Sequence, residues 1–381
     1  MMMTPDTTLG LYIHIPFCHA KCRYCDFYSA PAGEGVQSSY VNALIEELIY
    51  RAPKARRMRV DTVYIGGGTP TVLSPTRFAR LLDTVREHYA LDPTAEITVE
   101  CNPCAAPEGM FEGLYAAGVN RLSIGLQSAN EKELSALGRL HDLAAFDRTF
   151  RAARAADFQN INVDLMMGIP HQTRESLNKT VGHVLSYAPE HISAYGLRVE
   201  EGTPFYRDRH TLPFADDDTV ADMQFATAKT LALAGYEHYE ISNYAKAGYR
   251  SRHNMRYWHC LPYLGFGAAA HSYFAGVRYE SPRDTAGYIA AVAKRDFDAL
   301  CQNAYTVSAT GAKEEYVMLR MRLFEGISEA DFAARFGAPF ESFYGDTEKL
   351  QKNGLLTRGN GRIAFTEAGM YVSNAILSEW L

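Results

Sequence analysis

Six short, apolar runs recur along the first half of the chain, most of them followed by a stretch of helical periodicity. They are Leu11 to Ile15, Val60 to Ile65, Glu96 to Cys101, Val119 to Leu126, Phe158 to Met167 and His191 to Val199. Runs this short and this rich in β-branched residues read as strands. Between them, Tyr40 to Arg51 sets Val41, Leu44, Ile45 and Leu48 on one helical face, and Thr76 to Tyr89 does the same with Phe78, Leu81, Leu82 and Val85. Further helices are expected over 108–117, 141–156 and 174–187. Ser74-Pro75 and Ala106-Pro107 look like helix starts, with proline in the first turn. Strands alternating with helices imply a parallel sheet with right-handed crossovers. Six units fall short of the eight that close a TIM barrel. The expected class is therefore α/β, a curved, partial (βα)6 TIM-like barrel, with a flat doubly wound sheet as the alternative.

The pattern changes after about residue 210, which divides the chain into 1–210, 211–310 and 311–381. Asp216-Asp217-Asp218 opens a long helix through Ala234, and residues 235–300 are rich in Tyr, His and Gly with weak periodicity. The last segment is mostly helical and winged-helix-like. In it Val317, Leu319, Met321 and Leu323 lead to Ile327-Ser328-Glu329, a cap for the next helix. Gly354-Leu355-Leu356 and Arg362-Ile363-Ala364-Phe365 read as a small hairpin or wing before a final helix.

A net charge of −6 over 381 residues gives no basic footprint for nucleic acid and no polybasic membrane patch. No apolar run reaches the roughly 18 residues of a transmembrane helix. Residues Met1 to Gly10 show neither the basic nor the apolar region of a signal peptide, so the expected address is the cytoplasm. In a reducing compartment, seven spaced cysteines point to metal or redox chemistry rather than to disulfides.

Three of the seven, Cys18, Cys22 and Cys25, form a C-x3-C-x2-C triplet directly after the first strand. Thiolates are soft ligands that suit iron–sulfur clusters. Three of them hold three irons of a [4Fe–4S] cubane and leave the fourth iron open to the amino and carboxylate groups of S-adenosylmethionine (SAM). A structural zinc site is the competing reading, and it needs His14 or His19 as a fourth ligand. Cys101-Asn102-Pro103-Cys104 is a C-x2-C pair with no second pair beside it, which reads as ordinary buried thiols.

The stretch Ile13-His14-Ile15-Pro16-Phe17-Cys18 through Cys25-Asp26-Phe27 resembles the radical SAM superfamily, in its coproporphyrinogen III oxidase-like branch. Gly66-Gly67-Gly68-Thr69-Pro70, Glu100-Cys101-Asn102-Pro103, Arg121 through Ser128, Arg139-Leu140-His141 and Asp164 through Pro170 extend the resemblance over most of the chain. It implies that Tyr12, Gly67 and Glu100 line the cluster-bound SAM. Tyr24, Gly68, Thr69, Gln127, Arg139 and Asp164 match positions around the nucleotide sites. The residue types suit those tasks. Glycines let backbone approach a ligand, carboxylates accept from ribose hydroxyls, and Arg139 and Gln127 can pair with a carboxylate.

His253-Asn254-Met255-Arg256-Tyr257-Trp258 is an H-N-x-x-Y-W motif similar to one that marks the heme chaperone branch. His253, Tyr257 and Trp258 are therefore candidate heme contacts, since histidine is a common heme iron ligand and aromatic rings pack on a porphyrin. A scaffold role for His253 is the alternative, and Met255, His259, Cys260 and His271 are further candidates. Ala269 stands where related chains often have glycine. Phe27 occupies the place of an extra cysteine in the decarboxylating oxidases, and the first strand begins without their longer extension. Both departures favour a chaperone that binds heme and passes it to an acceptor hemoprotein, with an electron donor serving the cluster. The rival is an oxygen-independent coproporphyrinogen III oxidase, in which SAM cleavage starts a propionate decarboxylation.

Overall fold

A computed structural model describes residues 8–103, 107–344 and 347–380. The first half runs β1 (Thr8–Ile15), α1 (Glu34–Ala55), β2 (Arg59–Gly67), α2 (Pro75–His88), β3 (Ala90–Cys101), α3 (Met110–Ala116), β4 (Arg121–Gln127), α4 (Glu131–Leu137), α5 (Leu143–Ala155), β5 (Ile161–Met167), α6 (Arg174–Ser186) and β6 (His191–Gly196). The six strands lie side by side in chain order and all neighbours are parallel. This is the partial (βα)6 barrel. Alternation along each strand sorts its two faces. Leu9, Leu11, Ile13 and Ile15 of β1 are fully buried in a core with Tyr40, Val41, Leu44 and Leu48 of α1. Tyr12 pairs with Tyr64 of β2 on the opposite, inner face.

Helix α2 starts at Pro75 after Ser74, as the proline implies. The start at Ala106-Pro107 falls partly outside the described residues, and α3 begins at Met110. In the first half, one helix has no counterpart in the sequence reading. Helix α4 is under two turns long, too short for a periodic signal. Its ends are defined by local chemistry instead: the Asn130 side chain accepts from the Lys132 and Glu133 amides, and Gly138 follows with φ +72°.

The chain continues through α7 (Pro204–Asp208), α8 (Asp217–Leu233), β7 (Glu237–Glu240), β8 (Asn243–Ala245), α9 (Arg252–Trp258), β9 (Tyr263–Phe266), β10 (His271–Phe274), β11 (Val277–Glu280), α10 (Thr285–Ala293) and β12 (Gln302–Thr306). These strands extend the barrel sheet at both edges. Twelve strands lie in the order β12-β11-β10-β9-β1-β2-β3-β4-β5-β6-β8-β7. Strands of three to five residues carry too few alternations to be read from sequence, which is why 235–300 showed weak periodicity. Helix α9 lies against the inner face, where the Arg256 guanidinium reaches the Asp61 carboxylate and the Thr8 and Pro262 carbonyls.

The last segment comprises α11 (Ala309–Arg320), β13 (Ile327–Ser328), α12 (Glu329–Phe336), α13 (Thr347–Lys352), β14 (Leu356–Gly359), β15 (Arg362–Phe365), α14 (Glu367–Tyr371) and α15 (Ser373–Trp380). Ser328 caps α12 by accepting from the Asp331 amide, and β14 and β15 form the wing. Val317, Met321, Phe332, Phe340 and Ile363 build a separate core. The segment docks on the barrel edge through a backbone bridge between Glu240 and Leu323, and the Phe324 amide donates to the Tyr239 carbonyl at 3.1 Å. Among the described residues, no helix is long and apolar enough to cross a membrane.

Candidate functional site

Strand β1 ends at Pro16, and the loop after it carries the cysteines. The glycine loop after β2 holds that loop in place: Gly68 N donates to the Ile15 carbonyl at 2.9 Å and Thr69 N to the Phe17 carbonyl at 2.7 Å. On its other side, Arg23 N donates to the Leu137 carbonyl at the end of α4. The glycines answer first to protein neighbours. A Cβ at Gly68 would lie 2.6 Å from the Phe17 carbonyl oxygen, and one at Gly66 would lie 2.7 Å from the Glu100 carboxyl carbon. Gly67 has φ +105°, and a Cβ there would run into the His14 ring. A side chain at Gly67 would therefore meet His14, whatever ligand approaches the same backbone.

The three thiols line a cavity of about 460 Å³ at the carboxyl ends of the strands, where barrel folds build their sites. Cys18 Sγ lies 3.4 Å from Thr69 Oγ1, and Arg139 Nη1 donates to Cys22 Sγ at 3.7 Å. Burial pushes the Cys25 thiol up to about 11. Among the described residues, no group of three or more His, Cys, Asp or Glu is set to hold a single metal ion. His14 cannot complete a zinc site as placed, since Nδ1 pairs with Tyr12 Oη at 3.0 Å and Nε2 with the Tyr28 carbonyl at 2.9 Å. His19 is exposed. A donor set of three thiols beside a roomy cavity suits a cubane with one open iron better than a tetrahedral zinc. Cys101 is a buried thiol on the same cavity wall. Its companion in the C-x2-C pair, Cys104, lies outside the described residues.

Two carboxylates face the thiols. Glu100 accepts from Tyr64 Oη and from the Gly67 amide, each at 2.9 Å, and burial pushes it up to about 7. Asp164 accepts from Asn162 Nδ2 at 2.7 Å and Ser123 Oγ at 3.1 Å, and burial raises it as well. Arg139 Nη2 donates to the Gly125 carbonyl at 2.6 Å, and a Cβ at Gly125 would crowd both Gln127 and Arg139. Gln127 has φ +68°, a region a non-glycine residue seldom adopts. The β4–β5 register shifts between Gly125 and Gln127, a bulge that re-aims the strand end at the cavity.

Tyr24, Gly67, Gly68, Thr69, Glu100, Gln127, Arg139 and Asp164 all line this cavity. Tyr12 does not. It sits one layer deeper, with its hydroxyl committed to His14 and its ring 6.2 Å from Tyr64. Tyr64, Ser123 and Tyr195 through Arg198 line the cavity without having been singled out. The inward alternation of β2 and the end of β6 were the signals that could have found them.

The H-N-x-x-Y-W motif is elsewhere. His253 contacts Thr62 and Glu96, four strand residues before Gly66 and Glu100, about 13 Å along the barrel. Its Nδ1 pairs with Thr62 Oγ1 and its Nε2 with Tyr257 Oη, both at 2.9 Å, and its ring stacks on Tyr64 at 5.2 Å. Burial, with Arg256 and Arg121 nearby, pushes it down to about 3, so it is neutral. With both nitrogens engaged and the side chain buried, His253 and Tyr257 form scaffold as placed, not an open iron ligand. Trp258 turns away from them and lines a different cavity. His259 pairs with Glu325 and His271 with Glu280, while Cys260 joins the C-terminal core and Met255 is half-buried.

The family model described as the radical SAM superfamily matches residues 12–184, and that of the HemN C-terminal domain matches 307–372. A Bacillus subtilis protein named heme chaperone HemW is 34% identical over 97% of this chain and 98% of its own length. The protein of that name from Escherichia coli is 35% identical over 98% of each. Among solved structures, coproporphyrinogen III oxidase (HemN) from Escherichia coli superposes with a TM-score of 0.85 over 99% of this chain and 91% of its own, at 23% identity, a likeness of fold. The chain belongs to the radical SAM superfamily, in the coproporphyrinogen III oxidase-like branch and alongside the HemW proteins.

Proposed function

We propose that this chain binds heme and transfers it to an acceptor hemoprotein, such as a respiratory one, with a [4Fe–4S] cluster on Cys18, Cys22 and Cys25 and SAM beside it. One observation carries the reading: similarity to proteins named as heme chaperones spans 97–98% of the chain, the 211–310 segment included. Phe27 adds to it. Its ring is 64% exposed at the rim of the thiol cavity, at the place where the decarboxylating oxidases carry a further cysteine.

When bound, the cluster supplies one-electron chemistry at SAM. The chain's own residues fit the holding of both. Arg139 sets a permanent positive charge beside Cys22, and Thr69 sets a hydroxyl beside Cys18. Glu100 and Asp164 are buried acceptors for the hydroxyls or ammonium of a nucleoside amino acid, and Gln127 offers an amide at the bulged strand end. Tyr12 acts through His14, which props the glycine loop. An electron donor for the cluster and a cytoplasmic address belong to the same reading.

The complete cavity and the matched C-terminal domain also favour a second reading, an oxygen-independent coproporphyrinogen III oxidase. One experiment separates the two: anaerobic cluster reconstitution, then parallel hemin-binding and coproporphyrinogen-turnover assays. Heme retained through desalting with no turnover is expected. Turnover on the order of 1 per second without heme retention would overturn the chaperone reading.

A further inference from the structure

A second cavity, about 820 Å³, lies between the barrel edge and the C-terminal segment. One wall is β6 with the residues just after it, and the opposite wall is built by α11, α14 and α15. Its size is within the range of small-molecule sites. It shares Tyr195 through Arg198 with the thiol cavity, so one strand end separates the two.

Three features point to a ligand. The first is charge. Arg198 and Arg322 both line the cavity; Arg322 donates to Asn374 Oδ1 at 2.7 Å, and among the described residues neither forms an ion pair. Burial and the neighbouring Arg198 both disfavour the charge of Arg322, while the buried Glu240 favours it. The second is unmet hydrogen bonding. Trp258 Nε1 and Tyr371 Oη are buried polar atoms on this cavity with no partner among the described residues. Such atoms are costly unless something satisfies them. The third is an aromatic wall. The His238 ring stacks on Tyr244 at 4.1 Å and leans on Phe324 at 4.3 Å, and burial pushes it down to about 4, leaving a neutral imidazole. Aromatic side chains and two guanidiniums, set among polar residues that include Asp217, Gln224 and Asn374, describe a receptor for a flat ring bearing two carboxylates.

We propose that this interdomain cavity is the heme site, with the propionates on Arg198 and Arg322, the Trp258 indole N–H directed at the bound ligand, and His238 as the imidazole on the wall. This rests on the heme reading above. It moves the heme contact of the H-N-x-x-Y-W motif from its histidine to its tryptophan, and it sets heme one strand end away from the cluster loop.

The test is anaerobic titration of the full chain with hemin and with hemin dimethyl ester, which lacks the free carboxylates. Two rim variants are compared with wild type, Arg198→Glu at an exposed position and Met318→Trp, whose methionine is 37% exposed on the cavity edge. Arg198→Glu should weaken hemin binding at least about tenfold and leave the ester within about twofold, because only the charge-assisted contact is lost. Met318→Trp should weaken both ligands. Wild-type affinity for hemin in both variants would overturn the cavity assignment and leave the heme reading standing. Failure of the wild-type chain itself to bind hemin would overturn the heme reading, and this assignment with it.

Discussion

His253→Ala separates a scaffold histidine from an iron ligand. The imidazole bridges Thr62 Oγ1 and Tyr257 Oη at 2.9 Å on each side, and Thr62 is only 1% exposed. Removing it strands two buried hydroxyls, at about 1–3 kcal/mol each. The lost ring also leaves a cavity beside Tyr64. The hydroxyls alone come to about 2–6 kcal/mol and the cavity adds to that, a large part of the roughly 5–15 kcal/mol that holds a typical domain. Urea unfolding of the cluster-free protein, followed by circular dichroism, should show a clearly lower midpoint with unchanged slope. Below the transition, the folded variant should still bind hemin with the wild-type Soret position. An unchanged urea midpoint together with a shifted or absent Soret band would refute the reasoning, because His253 would then be spare in the fold and engaged by the iron.

Four further outcomes test other parts of the structure. Cys22→Ala should lose the visible absorbance and the iron of a reconstituted cluster while Cys101→Ala keeps both; normal iron content in Cys22→Ala would sink the ligand assignment. Gly67→Val should impair cluster reconstitution as well as SAM binding, since at φ +105° the new side chain meets His14 and pushes on β1; a loaded cluster with only SAM affinity reduced, by calorimetry, would restore the simpler idea that this glycine serves the ligand alone. Ala269 holds φ +62°, so Ala269→Gly should raise stability by up to about 1 kcal/mol by relieving left-handed strain, measured as a higher thermal midpoint. Glu100 titrates near 7 in the fold against an ordinary 4.5. A raised carboxyl favours folding fully below 4.5, and that contribution is lost as pH rises through about 7. Glu100→Gln should flatten part of the fall in stability across that window, Glu240, also pushed to about 7, keeping the rest; an unaltered pH profile would show that Glu100 does not ionise there.

Much of this protein was legible in its sequence because the signals are local. Strand and helix periods differ, so six alternations were enough to imply a parallel barrel, and a strand ended by Pro16 places the cysteine loop at a sheet end. The thiols and eight of the nine residues matched to the SAM and nucleotide sites do meet on one cavity, since they follow or end strands whose carboxyl ends converge. What sequence spacing could not determine was which long-range neighbour each side chain meets. Tyr12 belongs to a strand beside the site, yet packing commits it to His14. The glycine loop is glycine chiefly because the cysteine-loop backbone, Glu100 and His14 come close to it. The H-N-x-x-Y-W motif reads as one unit along seven residues of helix, but turns about 100° apart per residue send its members to different places. Tertiary packing buries His253 against β2, while Trp258 reaches a cavity whose far wall comes from a segment more than fifty residues later.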